Sequence, residues 1–149
     1  MAIKLAQNIS AIKIDPLDVN DKVAVGIKFP FNKKRIFDLD YTTKDHAKSK
    51  LINVLLTSPG ERINQPLFGV GLKNKLFQQQ TLLTEDEIRS SINPQVERYV
   101  PEISINNISF SRGGLQGHVL NININYIFAN TNEEDSVSLK FEQQFANQP

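Results

Sequence analysis

The first part of the chain, residues 1–41, alternates apolar and polar positions only loosely. Its most regular runs are residues 24–31 (AVGIKFPF) and 35–39 (RIFDL), and prolines interrupt regular strand pairing here. This pattern predicts an extended N-terminal arm over residues 1–41 that packs onto another surface. One domain is expected to follow over residues 42–149, because the chain is long enough for a single core and too short for two.

An amphipathic helix is predicted over residues 43–57. Thr42 and Asp45 have the spacing of a capping box, in which each side chain satisfies a free backbone N–H. Apolar residues then recur at helical spacing, and the turn residues 58–60 (SPG) end the helix. The predicted apolar face consists of Ala47, Leu51, Val54 and Leu55.

A second amphipathic helix is predicted to end near Val100, after a shorter helix of about two turns over residues 72–78. Thr84 begins another capping-box pattern, TEDE. Pro94 predicts either a kink or a restart of the helix with Asn93 as its cap. The predicted apolar face consists of Ile88, Ile92, Val96 and Tyr99.

From Ile103 onward the apolar period becomes two, which is typical of β-strands. Ile103 and Ile105 share one parity, whereas Ile108 and Phe110 take the other. Because a regular strand cannot change its apolar face midway, a β-bulge is predicted near residues 106–107.

Two more strands with regular alternation complete a predicted sheet. A glycine-containing turn over residues 111–117 leads into the first, and a polar loop over residues 130–135 leads into the second. The predicted fold class is therefore α+β, with two main helices packed on one face of an antiparallel-rich sheet over residues 103–145. The apolar positions are Leu120, Ile122, Ile124, Tyr126 and Phe128, then Val137, Leu139, Phe141 and Phe145.

Composition narrows the functional classes. With 17 Lys and Arg against 16 Asp and Glu, the net charge is +1, so no overall field favours nucleic acid or an anionic membrane. The chain has no Cys, which removes disulfides and thiolate chemistry, and His46 and His118 lack partners at ligand spacing. No metal or cofactor is predicted. Because no signal-peptide core or membrane-spanning run is present, we expect a soluble protein.

The run SPGERINQPLFGVGL, residues 58–72, is the densest cluster of turn residues and holds a charged pair. Glycoside hydrolysis usually needs two carboxylates across a cleft, but Glu61 is followed by Arg62 and the run has no second acid. A guanidinium nearby would stabilise the charged form of the carboxylate, whereas a general acid must be protonated. Gly69 and Gly71 do not complete a phosphate-binding pattern. A structural joint, with Glu61 and Arg62 capping or pairing with backbone groups, is favoured.

The longer run LLTSPGERINQPLFGVGLKNKLFQ resembles the baseplate wedge family of contractile phage tails, long labelled lysozyme-like, with relatives in type VI secretion and other contractile injection machines. The resemblance covers about residues 40–130. The family commonly has Glu-Pro-Arg after the second helix, whereas this chain has Val100-Pro101-Glu102; only the proline is kept, and Arg98 is a candidate substitute. The matching positions are Gly60, Glu61, Arg62, Pro66, Phe68, Gly69 and Leu72.

This resemblance implies a structural role in the tail baseplate of a virion that is assembled in the host cytoplasm. The implied partners are other baseplate wedge proteins and the tail sheath protein, with tail tube or hub proteins as further candidates. Neither nucleic acid nor a membrane is an expected partner. The loop motif, with Arg98 and Pro101, is expected to bind the wedge core.

The last strand is expected to template the first ring of sheath subunits by strand addition, through Val137, Leu139, Phe141 and Phe145. From its pattern alone, this strand either ends the chain's own sheet or adds to a neighbour's sheet. Two alternative functions remain. One is a tail-associated peptidoglycan hydrolase, a muramidase using Glu61, and the other is a free adaptor that inhibits a host protein through the same sheet.

Overall fold

The computed structural model describes residues 16–31, 37–75, 82–113 and 119–142, and its fold is α+β as predicted. The described helices are α1 (Thr43–Leu56), α2 (Leu72–Lys75) and α3 (Leu82–Tyr99), preceded by a 3-10 turn at Pro16–Val19. The strands are β1 (Gly26–Ile27), β2 (Leu39–Asp40), β3 (Ile103–Gly113), β4 (Val119–Phe128) and β5 (Glu134–Glu142).

A single hydrophobic core lies between the helices and one face of the antiparallel sheet β3-β4-β5. The central strand β4 alternates as predicted, and its five inward residues, from Leu120 to Phe128, are at most 6% exposed. The apolar faces of α1 and α3 cover them, with Leu51, Leu55 and Ile92 fully buried. Among the described helices, none has the length and hydropathy to cross a membrane.

The start of α1 is capped as the sequence predicts, with one difference. Thr42 Oγ1 accepts a hydrogen bond from the Asp45 N–H at 3.1 Å, but the Asp45 carboxylate accepts from the Thr42 hydroxyl at 2.8 Å, not from the Thr42 backbone. A further cap comes from the arm, since Asp18 accepts from both the N–H and the hydroxyl of Thr43 at 2.7 Å. The arm therefore stabilises the beginning of α1.

The other helices differ from prediction at their ends. Because α3 begins at Leu82, Thr84 lies in its first turn and not at the predicted N-cap position. The helix also continues through Pro94 to Tyr99, so the predicted restart at Asn93 is wrong. Burial of its apolar face against the core offsets the cost of an internal proline. Of the short helix predicted over residues 72–78, the structure has Leu72–Lys75, and residues 76–78 lie outside the described ranges.

The predicted β-bulge in β3 is confirmed. The register with β4 passes from Ile105 opposite Tyr126 to Asn107 opposite Asn125, which leaves one extra residue on β3. This shift lets Ile103 and Ile108, of opposite parity, both be buried.

The loops on either side of β4 are shorter than predicted. Strand β3 runs to Gly113, so residues 111–113 are paired strand, and residues 114–118 are not among those described. Strand β5 begins at Glu134, inside the predicted polar loop. In both cases backbone pairing with β4 extends a strand into a segment whose residue types are typical of turns.

The described part of the arm packs onto α1 as a two-stranded ribbon, β1-β2, which is shorter than the predicted run over residues 24–31. Residues 35 and 36 of the second predicted run lie outside the described ranges. Gly26 lies against α1 so closely that a Cβ there would be 2.0 Å from His46 Nδ1. Its strand partner Asp40 is buried on the same side, and the Phe29 N–H donates to Ser49 Oγ at 3.1 Å. The surface that the arm packs onto is therefore the first helix.

Candidate functional site

The connection between α1 and α2, residues 57–71, is a closed loop that we call the motif loop. The Val70 N–H donates to the Val54 carbonyl at 2.9 Å, which returns the loop to the helix it left. Within the loop, the Gly60 N–H donates to the Pro66 carbonyl at 2.8 Å. Backbone hydrogen bonds therefore fix the path of the loop, as a joint requires.

Gly69 has a backbone geometry that no other residue would adopt without strain. Its φ is +102°, and a Cβ there would lie 2.2 Å from the Thr57 carbonyl oxygen. The close approach of the loop to the end of α1 thus explains this glycine without a phosphate ligand.

Glu61 and Arg62 contact different partners. The Glu61 carboxylate accepts a hydrogen bond from the Ser58 N–H at 2.9 Å, just after α1 ends. Arg62 instead donates through Nη2 to Asn53 Oδ1 at 3.2 Å, so its partner is a side chain of α1 and not the backbone. Both residues fasten the loop to the end of the helix.

A row of stacked side chains connects the motif loop to the end of α3. The Arg62 guanidinium carbon is 3.8 Å from the Phe68 ring centroid, and the Phe68 and Tyr99 rings meet edge to face at 4.8 Å. The guanidinium carbon of Arg98 is 5.5 Å from the Tyr99 ring centroid. The structure thereby brings three residues of the sequence-predicted motif together, with Tyr99 as the link.

Gln95 belongs to the site although it is part of no sequence motif. Its side-chain oxygen accepts from the Gly69 N–H at 2.9 Å, and its side-chain nitrogen donates to the Leu67 carbonyl at 3.0 Å. A polar residue on the amphipathic helix α3 carries no local sign of this contact, because its partners lie 26 and 28 residues earlier. Its amide thus attaches the loop to α3.

The tip of the motif loop exposes apolar side chains. Ile63 is 97% exposed and Leu67 is 65% exposed, and Pro66 between them is also exposed. The open hollow beside this tip is lined by Glu61, Arg62, Ile63, Asn64 and Gln65, with Glu61 as its one carboxylate. A surface of this kind fits protein contact better than two-carboxylate hydrolysis.

The tripeptide Val100-Pro101-Glu102 follows α3. Val100 is fully buried and Pro101 is exposed, while the Glu102 carboxylate accepts from Lys50 at 2.6 Å. Partial burial would raise the pKa of Glu102, but the hydrogen bond and charge of Lys50 hold it below its ordinary value. Glu102 therefore binds α1 of its own chain, and the exposed guanidinium at this end of α3 belongs to Arg98.

The predicted sheath-binding strand is paired within this chain. Strand β5 forms antiparallel pairs with β4 from Glu134 to Glu142, so it ends the chain's own sheet. Val137 is 3% exposed in the core, Leu139 and Phe141 pack partly against it, and Phe145 lies beyond the described part of the chain. Within that part, the other edge of β5 has no partner strand.

Strand β5 is also fastened to α1 near its beginning. Asp135 accepts hydrogen bonds from the Lys48 ammonium at 3.0 Å and from the Tyr126 hydroxyl at 2.9 Å. Burial would raise the pKa of Asp135, but the Ser136 N–H and these two donors hold it below its ordinary value. The pKa of Tyr126 is raised, mainly by burial and further by its hydrogen bond to the Asp135 carboxylate.

No group of three or more His, Asp or Glu side chains in the described ranges is placed to hold a metal ion.

Comparison with known proteins identifies the family. The model of the family described as baseplate wedge protein gp25 matches residues 42–133. Baseplate wedge protein gp25 of Enterobacteria phage T4 is 36% identical over 56 residues, which are 38% of this chain and 42% of that protein.

Two solved structures are also similar. A putative tail lysozyme from Geobacter sulfurreducens has a TM-score of 0.60 at 21% identity, over 70% of this chain and 95% of that chain. A chain of the anti-feeding prophage baseplate has a TM-score of 0.49 at 15% identity, over 80% and 86%. Since the family model covers more than half of its length, this chain belongs to the family of baseplate wedge protein gp25.

Proposed function

We propose that this chain is a structural baseplate protein without enzymatic activity that binds the wedge core and starts the tail sheath. The observation that carries the proposal is the position of β5, a nine-residue strand at the edge of the sheet. Its location would be the virion baseplate, after assembly in the host cytoplasm. Its partners would be the wedge proteins and the sheath protein, with tube or hub proteins as further neighbours.

The free edge of β5 is suited to strand addition. One side of the strand bonds to β4, and no described strand pairs with its other side, so a strand from another chain could add along that edge. The core side chains of β5, such as Val137, hold it in place while it pairs. In this form of templating, β5 remains paired with β4 and offers its outer edge to the sheath subunit. The strand does not leave its own sheet.

Templating also has a thermodynamic reason. A first ring assembled from free sheath subunits loses translational and rotational freedom for every subunit. Copies of this chain held in a ring would present edges at fixed spacing, so each new subunit binds next to an occupied site at high effective concentration.

The face formed by the motif loop and the end of α3 is proposed as the wedge-core contact. It combines an apolar tip at Ile63 and Leu67 with the exposed guanidinium of Arg98. Because backbone hydrogen bonds and Gln95 fix the loop, little conformational entropy would be lost on binding. Gly60, Glu61, Pro66 and Pro101 shape this face and do not carry out chemistry.

The hydrolase alternative is not favoured by the geometry of Glu61. Its carboxylate holds a backbone N–H, and the hollow beside it contains no second acid. We expect the purified protein to leave suspensions of cell walls turbid. Turbidity loss that Glu61→Gln abolishes, while the variant remains folded, would establish the muramidase function instead.

Strand addition can be tested by cross-linking, since the natural chain has no Cys. Ser138 on β5 and Ser109 on β3 lie at the same level of the sheet, each opposite Asn123 of β4, and both are exposed. We would compare Ser138→Cys with Ser109→Cys in assembled particles, using a short cross-linker that couples to the introduced thiol and carries a photoactivated group for the neighbouring chain. A sheath cross-link from position 138, and none from position 109, is expected.

Sheath cross-links from position 109 alone would move the interface to β3, and none from either position would reject strand addition. These substitutions are preferable to truncation after Asp135, because truncation removes Val137, which is 3% exposed, from the core. Loss of sheath after truncation would then report misfolding as well as a missing edge.

A further inference from the structure

Strands β4 and β5 differ in how firmly the core holds them. All five inward side chains of β4 are at most 6% exposed. Val137 on β5 is also buried, but Leu139 and Phe141 are only partly buried. Asp135, the first inward residue of β5, is polar and partly exposed. Packing therefore fixes β5 mainly at its middle, and the position of its beginning depends on other contacts.

The Asp135 carboxylate holds the beginning of β5 against two other elements. Its Oδ2 accepts hydrogen bonds from the Tyr126 hydroxyl at 2.9 Å and from the Lys48 ammonium at 3.0 Å. Tyr126 is the strand partner of Asp135 on β4 and is fully buried, whereas Lys48 lies on α1. The other oxygen, Oδ1, accepts from the Ser136 N–H at 2.7 Å. One carboxylate therefore joins β4, β5 and α1.

A second lysine of α1 extends this connection to the turn before β5. Lys44, one helical turn before Lys48, contacts the Glu133 carboxylate. Within the same turn the Phe128 N–H donates to the Glu133 carbonyl at 3.0 Å. Helix α1 thus contacts the chain on both sides of Glu134, the residue at which β5 begins.

The ion pair between Lys48 and Asp135 contributes little to the stability of the fold. The two side chains are 38% and 40% exposed, and water screens pairs of this kind. Hydrogen bonds between strands, in contrast, depend steeply on distance and angle, so strand addition needs an edge that lies in a fixed position over several residues. The contacts of Asp135 are therefore better suited to fix the edge of β5 than to stabilise the whole chain.

We propose that Lys48 is a positioning residue for the outer edge of β5. This inference rests on the strand addition proposed above. Lys48 acts through Asp135 and not through contact with the incoming sheath strand. While Lys48 holds Asp135, the edge is presented in one position, so less conformational entropy is lost when a sheath strand pairs with it. Without the ammonium, the beginning of β5 is held less firmly against α1, and pairing with the sheath strand becomes less favourable.

Lys48→Met tests this role, because it removes the ammonium and keeps an unbranched side chain of high helix propensity. Lys50→Met is the matched control. Lys50 lies on the same helix and pairs with Glu102 at similar exposure, 37% and 39%, but Glu102 precedes β3 and not β5. Amide hydrogen exchange over residues 134–138 of the purified proteins should be roughly two- to fivefold faster in Lys48→Met and unchanged in Lys50→Met.

The second measurement is the yield of the sheath cross-link from Ser138→Cys in assembled particles. Adding Lys48→Met should lower this yield by roughly two- to fivefold, whereas adding Lys50→Met should leave it unchanged. Lys48→Arg should keep both the yield and the exchange rates of the parent, because a guanidinium also donates to a carboxylate. This rescue separates the contact with Asp135 from a general effect of substitution at position 48.

Three results would overturn the proposal. They are equal exchange rates in Lys48→Met and Lys50→Met, faster exchange in Lys48→Met without a lower cross-link yield, and a Lys48→Arg protein that behaves like Lys48→Met. No sheath cross-link from Ser138→Cys alone would instead reject strand addition. The exchange measurement on the free protein would still show whether Lys48 holds the beginning of β5, so the two proposals fail separately.

Discussion

The guanidinium carbon of Arg62 lies 3.8 Å from the centroid of the Phe68 ring. Through this contact a residue of the motif loop is stacked on a buried aromatic six positions later, and the Phe68 ring in turn meets Tyr99 of α3. The same guanidinium donates to Asn53 of α1. Arg62 thus joins α1, the motif loop and the aromatic contact with α3, which makes it a structural residue of the joint.

Replacing Arg62 by lysine should lower the free energy of unfolding by about 1 kcal/mol, because an ammonium cannot stack as a planar guanidinium does. Urea denaturation followed by circular dichroism would measure the change. Lys73→Arg, at an exposed position of α2, is the control and should have little effect. An Arg62→Lys protein as stable as the parent would contradict this role.

Replacing Gln95 by alanine should cost roughly 1–3 kcal/mol, since the N–H of the buried Gly69 and the Leu67 carbonyl both lose their partner. Hydrogen exchange should also become faster at the Gly69 amide. Glu97→Ala, at an exposed position on the same helix, should change stability by less than about 0.5 kcal/mol. Equal effects of the two substitutions would show that the Gln95 contacts add nothing specific.

Two glycines of the motif loop provide a matched pair. Gly60→Ala should cost about 1 kcal/mol, because φ is +88° there but no atom lies within 4 Å of the added Cβ. Gly69→Ala should cost at least about 3 kcal/mol, since its Cβ would overlap the Thr57 carbonyl. Thermal unfolding would compare them, and similar costs would show that the loop can move away from Thr57.

Acid should weaken the contacts between α1 and the sheet. The pKa values of Glu102 and Asp135 are lowered in the folded chain from 4.5 and 3.8. Their stabilising contribution is therefore complete above those values and is lost as the pH falls through the lower folded values. Because these side chains are more than a third exposed, we expect about 0.5 kcal/mol from each pair.

Lys50→Met tests the part of this effect that belongs to Glu102. Its free energy of unfolding should differ from that of the parent at pH 7, and the difference should shrink as the pH falls below 4.5. Lys73→Met, at an exposed position, should show no such pH dependence. A constant difference for Lys50→Met would mean that the lysine acts through packing and not through the carboxylate.

The sequence by itself determined the α+β class, the apolar faces of both long helices and the alternation of β4. These features repeat at the helical or strand period, so burial of one face follows from the order of residues. The β-bulge was also predictable, since the apolar parity changes between Ile105 and Ile108. The resemblance of the motif loop also indicated the baseplate family from the sequence, because its glycines, prolines and charged pair lie close together along the chain.

Only the tertiary structure decided where these elements end and what they contact. Gln95 binds a loop 26 residues earlier, Asp18 caps a helix 25 residues later, and Lys50 meets Glu102 across 52 positions, which no local pattern records. Strand β5 likewise takes its partner from β4, although its alternation was equally compatible with a neighbouring chain. Periodicity specifies which face of an element is buried, but the partner of each polar group depends on how the chain folds back on itself.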